Sequence, residues 1–210
     1  MPGGTLLLGF VAAATVVLLI PGPGVLYIVA RSVSQGYRAG LASVLGLSLG
    51  AIVHVIAATA GLSTILLTSA TAFGIVKLLG AGYLIYLGIR TLVAGRPTGS
   101  MQTRSNRTLY RLLTDGVVVS VFNPKIAVFF LAFLPQFVEP SRGPIPQQVF
   151  LLGLIYVGLA LITDSAYALM AGSLRHWLSG RVMQGPLPRY LSGSLYLGLG
   201  VGAALTEPRQ

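Results

Sequence analysis

Cysteine is absent from this sequence, and acidic residues nearly so, with four Asp and Glu among 210 positions. The first absence excludes disulfides, thiol catalysis and cysteine-ligated metals, and leaves the redox compartment open. The second, with only two histidines, leaves no grouping that could hold a metal. No HExxH motif, Walker loop or serine elbow occurs either. An enzyme needs such a constellation, so the chain reads as a non-enzyme with no cofactor. Charge of either sign is scarce, at 9% of residues against roughly 25% in ordinary globular domains. With 54% hydrophobic residues, such a chain cannot cover a water-facing surface, and the bilayer is the expected solvent. No Lys or Arg precedes Arg31, and the apolar pattern continues past it. The first segment is therefore expected to remain a membrane span, not to be cleaved as a signal peptide.

About 20 apolar residues are needed to cross roughly 30 Å of hydrocarbon as a helix. Six segments meet this, approximately Thr5 to Ala30, Gly40 to Leu62, Thr68 to Val93, Gly116 to Val138, Gln147 to Ser173 and Leu187 to Leu205. The second and third form a helical hairpin joined near Ser63 to Thr71. The links after spans one, three and five carry Arg31 and Arg38, then Arg90, Arg96, Arg104, Arg107 and Arg111, then Arg175, Arg181 and Arg189. The other side has Arg142 and Arg209. By the positive-inside rule the arginine-rich links are cytoplasmic and both termini face outward. The formal net charge of +10 is thus a topology signal, with membrane lipids as partners and not nucleic acid.

The segment "AGRPTGSMQTRSNRTLYR", Ala94 to Arg111, is the one real linker. It divides the chain into a three-helix unit at 5–93, a basic cytoplasmic linker at 94–114 and a second three-helix unit at 115–206, within one membrane domain. Because three is odd, homologous halves would sit in the membrane in opposite orientations, the inverted-repeat plan of many secondary transporters. Small residues recur four apart at Gly36 and Gly40, at Gly46 and Gly50, and at Ser194, Gly198 and Gly202. They mark close helix contacts and leave a homo-oligomer open.

Two of the six spans carry their own interruption. "LLIPGPGVLYIVAR" places Pro21, Gly22, Pro23 and Gly24 mid-span, and "SVFNPKIAVFFLAFLPQFVEP" does the same with Asn123, Pro124 and Lys125. Proline removes a backbone donor and crowds the carbonyl four residues back. In hydrocarbon, backbone broken in this way is tolerated only where protein or a water-filled cavity satisfies it. The breaks fall in spans one and four, the first of each half, and discontinuous helices in matching positions are a pointer to a transport site. Pro21 lies ten residues before Arg31, Lys125 ten after Asp115, and Asp164 of "LALITDSAYALMAG" eleven before Arg175. At 1.5 Å per residue all three lie roughly 15 Å deep, near the midplane, where they could form one site.

Lys125 and Asp164 admit two readings at this stage, a static ion pair or a working site in which Asp164 carries a proton and Lys125 holds a carboxylate. Lys77, thirteen residues from Arg90, belongs to the outer half of span three, where its stem can snorkel. His54 reads as hydrogen-bonded filler in outer span two, and His176 as an inner interfacial anchor beside Arg175 and Trp177.

"IPGPGVLYIVARSVSQGYRAGLASVLGLSLG", "VKLLGAGYLIYLGIRTL", "NPKIAVFFLAFLPQFV" and "LSGSLYLGLGVGAAL", in this order, resemble the LysE/RhtB family of bacterial amino-acid exporters. The resemblance runs from about Ile20 to the last span. It implies a multi-pass inner-membrane protein that expels amino acids or close derivatives in exchange for protons. It also implies that Pro21, Gly22, Pro23, Asn123, Pro124 and Lys125 are signature positions of the two broken helices. The family pattern usually has asparagine after the first Pro-Gly-Pro, where this chain has Gly24. Asp164 is a feature of some members, so its coupling role rests on the physical argument. The expectation is an all-α integral membrane protein of six helices in two inverted repeats, binding substrate at Pro21 to Gly24 and Asn123 to Lys125, with proton coupling at Asp164. A passive small-solute channel and a non-transporting membrane scaffold are the alternatives.

Overall fold

A computed structural model describes residues 2–62 and 108–174, together with isolated positions between 75 and 93. Among the described residues all regular structure is helical. Helix α1 spans Gly4–Leu19 and α2 spans Pro23–Gln35. Helix α3 covers Tyr37–Ala57 and continues through a wider π-helical turn at Ala58–Leu62. Helix α4 is Leu109–Val121 and α5 is Pro124–Val128. The chain then passes through a π turn at Phe129–Phe133 and a 3-10 turn at Leu134–Phe137. Helix α6, Ile145–Ser173, is the longest at 29 residues.

Among the described residues, two helices are long and apolar enough to cross a membrane by themselves, Tyr37–Gly61 and Ile145–Ser173. Two bent pairs qualify if each counts as one span, α1 with α2 at 53° and Leu109–Val121 with Pro124–Phe137 at 45°. These four correspond to expected spans one, two, four and five. Spans three and six, with Lys77 and His176, lie outside the described residues apart from the isolated positions in span three.

Both expected breaks are present, and each has a local cause. Pro23 opens α2 as its first residue, where its missing N–H costs nothing. Pro124 does the same for α5, whose N-cap Asn123 accepts through its side chain from the Lys125 amide at 3.1 Å. The segment before the second break starts earlier than its charge pattern implied. Helix α4 starts at Leu109, within the expected linker, because Thr108 caps it by accepting from the Arg111 amide. Asp115 therefore sits about two turns inside the helix and not at its start.

The segments flanking the breaks mirror one another. Thirteen residues of α2 run away from the first break and thirteen of α4 run toward the second. The two meet where the Tyr27 hydroxyl donates to the Leu112 carbonyl at 3.0 Å. At the opposite end the Gly3 amide donates to Glu139 at 2.8 Å, so the start of α1 and the link before α6 share one side. Gln148 ties that link down by accepting from the Glu139 amide and donating to the Glu139 and Gly143 carbonyls.

Small residues set a close crossing between α3 and α4. A Cβ placed on Gly46 would run into the Leu113 carbonyl, and one on Gly116 would lie 2.8 Å from the Ser43 carbonyl. Membrane helices gain little from expelling apolar side chains from lipid, so close backbone approach of this kind supplies the packing attraction. Leu45, Leu49, Val53 and Ile56 of α3 are each about half exposed, as a lipid-facing stripe requires. An aromatic cluster of Phe10, Phe129, Phe130, Phe133, Phe137 and Tyr156 fills the space between the breaks and the Gly3–Glu139 end, with Phe129 and Tyr156 centroids 4.6 Å apart.

Candidate functional site

In an uninterrupted helix the carbonyls of Leu19 and Ile20 would accept from the amides of residues 23 and 24. Residue 23 is proline, and the chain turns extended at Ile20 and Gly22, so both acceptors are released. Each finds a donor from a distant helix. The Tyr167 hydroxyl on α6 donates to the Leu19 carbonyl at 2.9 Å. Lys125 Nζ donates to the Ile20 carbonyl at 2.8 Å. The first break is thus held by the first residue after Pro124 in the second break, and by α6. The condition for broken backbone in hydrocarbon, that protein satisfies it, is met at these two carbonyls.

An open-mouthed cavity lies at the meeting point. Gly22 and Gly24 line it from the first break, Asn123 and Lys125 from the second, and Asp164 from α6. Of the expected site residues, the structure brings these five together. Pro21, Pro23 and Pro124 are not among its lining residues, and the contribution of Pro23 and Pro124 is to the backbone that shapes it.

Among the described residues, no ion pair within 4.0 Å joins Lys125 to Asp164. Lys125 is 6% exposed and is committed to Ile20, although its charge and that of Asp164 act on one another. Both helix N-termini, of α2 and α5, abut the same space, and positive dipole ends there favour an anionic group. Asp164 supplies the opposite charge. The cavity therefore presents an ammonium and two N-termini to an anion and one carboxylate to a cation, a pattern suited to a zwitterion.

Several further residues contribute to the cavity. Leu47, Ser48 and Ala51 line the cavity from α3, and Tyr156 and Ala160 from α6. None carries a sequence signal, since each sits in an apolar run without charge or proline. Ser48 is 7% exposed, and its hydroxyl has no hydrogen-bond partner. His54 fulfils its expected role as filler, donating from Nε2 to the Ser120 carbonyl at 3.1 Å and stacking on Phe130.

The sequence pattern of the LysE type translocator family matches residues 15–207. The chain belongs to this family. It is therefore a membrane transport protein and not an enzyme. Among its relatives, the homoserine/homoserine lactone efflux protein of Salmonella typhimurium is 32% identical over 200 residues, covering 95% of each chain. The protein of that name from Salmonella typhi matches to the same extent. A protein of Vibrio cholerae described as an uncharacterized membrane protein is 30% identical over 194 residues, 92% of this LysE-type chain and 94% of its own. No solved structure matches.

Proposed function

We propose that this translocator is a secondary exporter that carries amino acids or close derivatives out of the cytoplasm in exchange for protons. The observation that carries the reading is the meeting of Lys125, Asp164 and the two helix breaks in one cavity. An amino acid's carboxylate would face Lys125 and the N-termini of α2 and α5, and its ammonium would face Asp164. Asp164 would also carry the proton that returns after substrate leaves. Family membership and the efflux relatives in Salmonella favour an amino acid bearing a side-chain oxygen, or its lactone, as the substrate class.

In this reading the chain forms six spans in two inverted halves, sits in the bacterial inner membrane and faces outward with both termini. The opposite chain directions of the two broken segments, with the Gly3–Glu139 contact at one end, support the inverted plan. Purified protein in liposomes should give saturable uptake of labelled homoserine that accumulates against its gradient when a pH gradient is imposed. Flux that only equilibrates the substrate would identify a channel, and no flux at all would identify a scaffold.

A further inference from the structure

Seven Ser and Thr hydroxyls in the interior of the described helices separate by what they meet. Those of Thr15, Ser43, Thr59 and Thr163 each donate to the carbonyl four residues back, at 2.7–3.0 Å. This is the usual way a hydroxyl is satisfied inside a membrane helix. Ser48 has Val44 at the same spacing and does not use it. Ser32 and Ser120 are also unpartnered, but they fill helix crossings, packed against Gly40 and Gly50. Ser48 differs from both groups because it belongs to the cavity wall, with its hydroxyl buried there.

We infer that the Ser48 hydroxyl is a specificity-determining group that hydrogen-bonds the oxygen on the substrate's side chain. The inference rests on the exporter reading and extends it. Lys125, Asp164 and the helix ends complement the carboxylate and ammonium that every amino acid shares, so they cannot tell one from another. The rest of the α3 wall, Leu47 and Ala51, is apolar. Ser48 is the uncharged polar group left on that wall, and a hydroxyl can donate to an ester or hydroxyl oxygen or accept from a hydroxyl. A buried hydroxyl of this kind discriminates against the apolar isostere, which would leave it unpaired.

The test compares homoserine with norvaline, which replaces the terminal hydroxyl by a methyl, as competitors of labelled homoserine exchange in proteoliposomes. Wild-type protein should prefer homoserine by about tenfold, the equivalent of one net hydrogen bond. Ser48→Ala should lower that preference to near unity by weakening homoserine while leaving norvaline unchanged, and Ser48→Thr, which keeps the hydroxyl, should retain it. Equal weakening of both competitors by Ser48→Ala would assign the hydroxyl to packing and overturn the inference, as would an unchanged preference. Absence of any amino-acid exchange by the wild-type protein would overturn the exporter reading itself, and the inference with it.

Discussion

Lys125 Nζ donates to the Ile20 carbonyl across 2.8 Å, joining two helix breaks that lie 105 positions apart in sequence. One side chain thereby satisfies a carbonyl released by the first break and brings a positive charge to the cavity. Lys125→Ala should separate these roles. Leaving the carbonyl unpaired should cost about 1–3 kcal/mol of stability, read as a lowered unfolding temperature in detergent. Loss of the charge should reduce substrate exchange by about 100-fold, the scale expected for truncating one member of a buried charged contact. A stability loss with unaltered exchange would mean that the lysine is only a strut.

Tyr167 provides the comparison, because it holds the adjacent Leu19 carbonyl and is not among the cavity's lining residues. Tyr167→Phe keeps the ring and removes the donor. Stability should fall by about 1 kcal/mol, while exchange should change far less than in Lys125→Ala. A transport defect as severe as that of Lys125→Ala would move Tyr167 into the binding site.

The breaks were legible because proline acts locally and because residue counts from charged flanks measure depth. Pro21, Lys125 and Asp164 could be placed near one level, and Gly22, Gly24, Asn123, Lys125 and Asp164 do line one cavity. What those counts cannot give is rotation about the helix axis. That is why they left Lys125 with two candidate partners and could not point to the Ile20 carbonyl, and why Ser48 and Tyr167 went unmarked. Thr108 is unmarked in the sequence for a different reason. Its cap extends α4 through a stretch whose basic composition reads as linker, and a single hydrogen bond at a helix end leaves little trace in composition. Of the small-residue pairs, Gly46 and Gly50 are explained by the close approach of α4, whereas Ser194, Gly198 and Gly202 lie outside the described residues.

Asp164 is the one carboxylate among the residues lining the cavity. If it carries the coupled proton, Asp164→Asn should abolish substrate accumulation driven by a pH gradient. Exchange of labelled for unlabelled substrate, which needs no net proton movement, should persist at a reduced rate. Full gradient-driven accumulation by the variant would exclude this residue from coupling and leave the cation-binding role to be tested by substrate affinity.

The α3–α4 crossing allows a packing prediction with an internal control. Gly46→Ala puts a methyl group into the Leu113 carbonyl, which is backbone and cannot swing aside, so the two helices must separate. Overpacking of this kind should destabilise the protein by about 1–3 kcal/mol. Gly158→Ala on α6 meets nothing within 4 Å and should be neutral, or stabilising by about 0.5–1 kcal/mol through reduced chain entropy. Thermal unfolding of the two variants in the same detergent checks both signs, and equal shifts would refute the close crossing.

Gly24 stands where the resemblance implies an asparagine, and the consequence for the cavity is geometric. A Cβ at this position would lie 3.2 Å from Leu47 Cδ2 and 3.6 Å from Asn123 Nδ2. The nearer atom is the end of a flexible side chain, which can turn away, so Gly24→Asn should fold. Its amide would then occupy space on the wall that Gly24 and Leu47 share, and would compete for the Asn123 side chain. The expected outcome is a narrower site. Across a series of amino acids of increasing side-chain length, inhibition of homoserine exchange should weaken progressively in the variant, with the shortest members least affected. A uniform change across the series would mean that residue 24 acts on the common ammonium and carboxylate contacts. No change at all would mean that the side chain displaced from this position leaves the substrate's path untouched.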